Sequence, residues 1–178
     1  MGSNLSDSNG STSSESGIGS LDLGLKVQVA EGSGLTPSVA LLGKVLVPIG
    51  TEGVRAERAD PAVRVAVSHV LSERVGLGYN VGVEALSTVR GDGTLATESV
   101  AAYTVALGIA LVERLGVFVE GFGSVALTNG VRSSHLFDAG LTIQLADNVQ
   151  LDASGGVRYA GHADDWFVGL GVSVRVPR

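Results

Sequence analysis

The sequence predicts an all-β chain, an antiparallel up-and-down transmembrane β-barrel with about nine to ten strands visible, and three observations carry that reading. First, segment after segment alternates an apolar residue with a small or polar one for roughly ten positions, the period and length of a membrane strand. Second, twenty-six glycines in a Val/Ala/Leu-rich background favour strands over helices. Third, the chain is 44% hydrophobic, yet no run approaches the about eighteen uninterrupted apolar residues of a membrane helix.

Taken in order, strands are expected over 18–30, 37–48, 62–72, 74–88, 98–113, 115–128, 135–146, 149–160 and 165–176. The first is the clearest. Leu21, Leu23, Leu25, Val27 and Val29 share one face, and Asp22, Gly24, Lys26 and Gln28 share the other. On the fourth, Val75, Leu77, Tyr79, Val81, Val83 and Ala85 oppose Gly76, Gly78, Asn80, Gly82 and Glu84. The eighth sets Val149, Leu151, Ala153, Gly155 and Val157 against Gln150, Asp152, Ser154, Gly156 and Arg158. The four prolines (Pro37, Pro48, Pro61, Pro177) fall at or near strand ends, where a missing amide donor does little harm.

The turns alternate between two classes. Tight ones are expected at Ser72-Glu73-Arg74, Glu113-Arg114 and Asp147-Asn148, and longer ones at 49–61, 89–97, 129–134 and 161–164. Outer-membrane barrels have short periplasmic turns and longer extracellular loops, so the tight set marks the periplasmic side and the location is the bacterial outer membrane. Tyr103, Phe137, Tyr159 and Trp166 all fall on the apolar face near the long-loop ends, as membrane-interface aromatics do.

Two domains of unequal weight follow: a flexible Ser/Gly-rich tail over 1–16 and the barrel over 17–178. The tail holds no apolar stretch of signal-peptide type. The first and last strands run in the same sense, whereas bacterial single-chain barrels have even strand numbers. The expectation is therefore an N-terminally truncated barrel, twelve-stranded when whole.

Several stretches resemble the outer-membrane transporter-like β-barrel family named for the meta-pathway of phenol degradation. They are LGLKVQV at 23–29, PSVALLGKVLVPIGT at 37–51, GYNVGVE at 78–84, FVEGFGS at 118–124, VQLDASGGV at 149–157 and DDWFVGLGVSVRV at 164–176. Two departures stand out: Ile49 where that family carries Thr, and a VRVPR ending without a terminal aromatic. The resemblance implies a porin-like barrel with further strands ahead of the first one here, and passive transport of small, hydrophobic or aromatic compounds.

The inward face carries charges of both signs. Lumen-lining candidates are Lys26, Lys44, Arg64, Glu84, Glu120, Asp138, Asp152, Arg158 and Arg175, with Asp22 beside them. Charges are costly towards lipid but tolerated in a wet lumen, where opposite pairs offset desolvation. Two readings of them compete: a constriction selecting solutes by charge and size, or a salt-bridge network that fills a narrow barrel.

Other chemistry is poorly represented. A net charge of −6 argues against nucleic acid, and the absence of cysteine removes thiolate and Cys-metal chemistry. Ser68-His69 and Ser134-His135 are the only neighbouring Ser/His pairs, and adjacent strand residues point to opposite faces. His162 with Asp164 and Asp165 reads as a solvated acidic turn. No catalytic residue, metal site or cofactor is expected, and the partners are a lipid bilayer or detergent and a small solute.

A competing reading is a soluble or engineered β-barrel scaffold or binding protein with no transport or catalysis. It rests on the low aromatic content (4%) and the MGS start. The two readings differ in which face is apolar. In a soluble barrel Leu21, Leu23, Leu25, Tyr103, Leu141 and Trp166 point inward, and Lys26, Glu84 and Arg158 meet water.

Overall fold

From residue 21 onward each strand hydrogen-bonds to its sequence neighbours, so the main sheet is a meander joined by turns alone. The computed structural model describes residues 3–6, 12–15 and 17–176. Two short strands come first, β1 (Ser3–Ser6) and β2 (Thr12–Glu15), and they pair with each other as a separate ladder. They fall in the segment expected as a flexible tail; its other residues lie outside the described residues.

The nine predicted strands form one antiparallel sheet in chain order. They are β3 (Leu21–Ala30), β4 (Ser38–Val47), β5 (Asp60–Val70), β6 (Val75–Val89), β7 (Leu95–Val112), β8 (Leu115–Ala126), β9 (Ser134–Ala146), β10 (Val149–Gly161) and β11 (Trp166–Val174). β3 and β11 are the two edges of this sheet. No helix occurs among the described residues.

The sheet curls into a half-barrel. Lys26 and Gln28 on β3 line the same depression as Glu120 on β8, which a flat sheet cannot arrange across six strands. The concave side is the small and polar one. The buried side chains among the described residues lie on it: Ala40, Ala96, Val100 and Ala102 together with Asp60, Glu98 and Asp138. The convex side carries the apolar set.

Along β10, Ala153, Gly155 and Val157 are exposed while Asp152, Ser154, Gly156 and Arg158 are half-buried. β11 repeats the pattern, with Trp166, Val168, Leu170 and Val172 exposed and Phe167, Gly169 and Gly171 shielded. Register holds the apolar rows together across strands. Leu41, Val65, Val81 and Tyr103 are successive partners on β4 to β7, as are Leu107, Val119, Ala139, Gly155 and Val168 on β7 to β11.

Several strand boundaries shift by up to three residues from expectation, and two of the shifts, both at the long-loop end, have a clear local cause. β5 begins at Asp60, because its carboxylate anchors the loop ahead of it. The Ser87 amide donates to both Asp60 oxygens at 2.9 Å, and the Ser87 hydroxyl donates to Oδ2 at 3.1 Å. Ser87 Oγ in turn accepts the amides of Glu57 and Arg58 at 3.1 Å, so one side chain ties the 48–59 loop to β6.

The second difference is a correction. The segment 89–97 is not a long loop: β6 and β7 stay paired from Val75↔Ile109 out to Val89↔Leu95, and only 90–94 turn. Gly91, Asp92 and Gly93 explain it. Gly93 adopts φ +80°, which L side chains rarely tolerate, and its amide donates to Arg90 O at 2.8 Å. Asp92 accepts the Thr94 amide at 2.9 Å and the Thr94 hydroxyl at 2.6 Å. That local chemistry closes a hairpin beyond the rim.

The two Thr94 hydrogen bonds, the hydroxyl foremost, hold the Asp92 carboxyl below its usual range. A depressed carboxyl stabilises the turn above its unfolded value and loses that contribution as pH falls through the folded one. Thr94→Ala is expected to return Asp92 towards ordinary carboxylate behaviour, read by NMR titration of its side chain. Gly93→Ala is expected to cost about 1 kcal/mol through left-handed strain, read by chemical denaturation.

Candidate functional site

The concave face is a set of polar side chains placed by strand register, and neighbouring charges on it are mostly matched. Asp22 on β3 accepts from Lys44 Nζ on β4 at 3.1 Å. One step further round, Arg64 on β5 pairs with Glu84 on β6, its Nε donating to Oε1 at 2.9 Å. Both members of that pair are largely shielded. Nearer the long-loop rim, Arg90 Nη2 donates to Glu98 Oε1 at 3.1 Å, with Glu98 almost fully buried.

Of the candidate lumen residues, these pairings bring together Lys44 with Asp22 and Arg64 with Glu84. Lys26 lines the depression that Glu120 also lines, together with Ser38, Ser68, Asn80 and Thr104. Glu120 and Asp138 are direct cross-strand partners on β8 and β9. Arg158 does not join them. It turns to the rim, pairing with Asp165 and donating from Nη1 to Gly161 O at 2.6 Å. Asp152 lies on β10 over Gly171, where a Cβ would meet its carboxylate. Arg175 sits one residue beyond β11, exposed, its amide donating to Asn148 O at 2.8 Å.

The aromatics expected at the interface share the convex face near the long-loop rim. Three strands contribute to one network there. The Tyr103 hydroxyl lies 2.8 Å from His135 Nδ1 and 3.0 Å from the Tyr159 hydroxyl, while the His135 and Tyr159 rings lie 5.9 Å apart. Phe137 and Trp166 are exposed on the same face. At the tight-turn side His69 stacks on Tyr79 at 5.8 Å and its Nδ1 lies 3.0 Å from Leu35 O. Both histidines thus serve as hydrogen-bonding partners of tyrosine at opposite rims. His162 Nε2 lies 3.3 Å from Arg132 Nη1, and Asp165 is engaged with Arg158. Among the described residues no group of three His, Cys, Asp or Glu side chains could hold a metal ion.

Sequence reasoning missed three features. The Asp60–Ser87 latch joins residues far apart in sequence. The Tyr103–His135–Tyr159 network needed the register of β7 to β10, although all three had the right face and rim. The inward rings Phe118, Phe122 and Phe167 were legible from alternation alone, since they share parity with Glu120 or with Gly169.

Fold and faces together define a class: a meandering antiparallel β-wall, apolar outside and polar inside. A family model described as "Putative MetA-pathway of phenol degradation" matches residues 1–176, and the chain belongs to that family. Comparison with curated proteins and with solved structures finds no match.

Removing Arg64 leaves the Glu84 carboxylate shielded and unpaired. Arg64→Ala is expected to destabilise the fold by ~1–3 kcal/mol in urea titrations, and Arg64→Met with Glu84→Met by less than the sum of the single changes.

Proposed function

We propose that the chain forms the wall of a porin-like barrel in the bacterial outer membrane. Its convex face meets lipid, and its concave face lines a wet lumen for passive transport of small, hydrophobic or aromatic compounds, without catalysis. The observation that carries this reading is the inverted burial pattern. Val81 is 57% exposed, Val157 52%, Val168 74% and Leu170 91%, while the charged and small residues beside them on β6, β10 and β11 are the shielded ones.

A soluble barrel places these faces the other way. Soluble monomers rarely expose contiguous apolar patches beyond a few hundred Å2, whereas here the apolar face runs over all nine strands of the sheet. Lipid is the solvent that makes such a face favourable. Between the two edges, strands β4 to β10 satisfy their backbone groups within the sheet, as a bilayer demands. The tyrosine and tryptophan side chains at the long-loop rim suit the headgroup region. The family description, with its reference to phenol degradation, supports an aromatic or hydrophobic solute.

Val119 lies in the apolar row midway between the Glu113–Arg114 turn and the Tyr103 cluster. Val119→Arg is expected to cost ~2–4 kcal/mol of folding free energy in lipid vesicles, against little in a position of the same strand that faces the lumen. A neutral outcome contradicts lipid contact. In planar bilayers the protein is expected to pass current that changes with Glu120→Ala; folded, inserted and electrically silent protein rejects transport.

A further inference from the structure

One depression of the concave face, about 500 Å3 in volume, reaches from β3 to β8 and carries charges of opposite sign at its two ends. Lys26 stands on β3 and Glu120 on β8. The ion pairs among the described residues engage neither side chain. Neighbouring carboxylates do not neutralise Lys26, because Asp22 on the same face of β3 is held by Lys44, and Glu84 is held by Arg64. At the other end Asp138 stands opposite Glu120 on β9 and adds to the negative sign of that wall. A volume of this size is that of a small-molecule site, well beyond a single ion.

Between the charged ends the floor is neutral, polar and low. Ser68, Asn80 and Thr104 line it from β5, β6 and β7, and the last two are direct cross-strand partners. Hydroxyl and amide groups both donate and accept, so this floor matches a ligand that does both. Ala40, Ala66, Gly78 and Ala106 fill the remaining positions. Their small size leaves the space above the floor to a ligand; a Cβ at Gly78 would meet nothing nearer than 3.9 Å. β3 and β8 lie five strand spacings apart, roughly 24 Å along the sheet. The curl of the sheet and the reach of Lys26 and Glu120 shorten that gap.

We infer that this depression binds short unblocked peptides, with the C-terminal carboxylate on Lys26 and the N-terminal ammonium on Glu120. Both end contacts are charge-assisted hydrogen bonds. The peptide groups between the termini supply the donors and acceptors that match Ser68, Asn80 and Thr104. An extended tripeptide spans roughly 10 Å, enough to hold its two charges well apart. A single α-amino acid fits less well, because its two charges sit side by side and cannot reach both walls. A dicarboxylate or a diamine suits one wall and is repelled by the other. The site adds a polar solute to the proposed lumen and rests on that reading only in taking the concave face as open to water.

The test titrates the full chain, refolded in detergent at low salt, with triglycine, N-acetyltriglycine and triglycine amide, followed by NMR. Triglycine is expected to bind about five-fold or more tightly than either blocked peptide. Lys26→Met is expected to remove the preference over the amide and keep the preference over the acetylated form; Glu120→Gln is expected to do the reverse. Gly78→Val raises the floor without a backbone clash and is expected to weaken binding of all three. The peptide series on the unaltered chain, with Lys26→Met at an exposed edge-strand position, keeps the test decisive where Glu120→Gln fails to fold. Equal affinities for the three peptides overturn the site. Tightest binding of the amide also overturns it, since general attraction to a chain of net charge −6 gives that order. Unchanged preferences in Lys26→Met, or unchanged affinities in folded Gly78→Val, overturn it as well. Bilayer current without triglycine binding rejects the site and leaves the lumen standing. Binding in detergent without current supports the site and rejects the lumen.

Discussion

The structure depends on one constraint: the antiparallel pairing of each strand of the main sheet, β3 to β11, with its sequence neighbours. Because a strand's side chains alternate sides, a slip of one residue in any ladder would send charges to the apolar face and apolar residues inward. The registers of β3 through β11 avoid this throughout. Where they shift, between Gln28 and Ala30, Ala110 and Val112, Val149 and Gln150, and Arg158 and Ala160, they do so near strand ends. The two faces therefore stay chemically distinct over the whole sheet, and everything else follows from that separation.

On the concave side, separation concentrates charge, and cross-strand pairing then decides how each charge is tolerated. Lys44 with Asp22 and Arg64 with Glu84 form a matched sector over β3 to β6. The β8–β9 sector is unmatched and lined with phenylalanine. A wall with one neutralised sector and one acidic, aromatic sector is polarised around its circumference, not only from rim to rim. On the convex side the polar exceptions are confined to the rims, where Tyr103, His135 and Tyr159 satisfy one another. An apolar band lies between that cluster and the His69–Tyr79 pair at the other rim.

Much of this is legible in the sequence alone. All nine strands of the sheet were readable from period-two alternation, because Leu21 to Val29 or Val149 to Val157 fit no helical period. The difference at 89–97 has a local cause: the glycines and aspartate of Gly91-Asp92-Gly93 suggest a loop, whereas Asp92 and a left-handed Gly93 close a hairpin and extend both strands. Among the site residues, the face of Glu120 and Asp138 was readable and their partnership was not. Alternation assigns a side, but which residue stands opposite depends on where the 127–133 turn ends. Arg158 illustrates the same limit, since its face was readable but its turn towards Asp165 depends on the β10–β11 connection.

By itself, then, the sequence determined the strands, the two faces and the chemistry of each, because those follow from periodicity within about ten consecutive residues. Only the tertiary structure decided which charges neutralise one another and which remain as neighbours, and that the polar face is the concave, shielded one. Those outcomes are set by register and curl, which sum over turns and twists across many strands. No single stretch of sequence carries that sum.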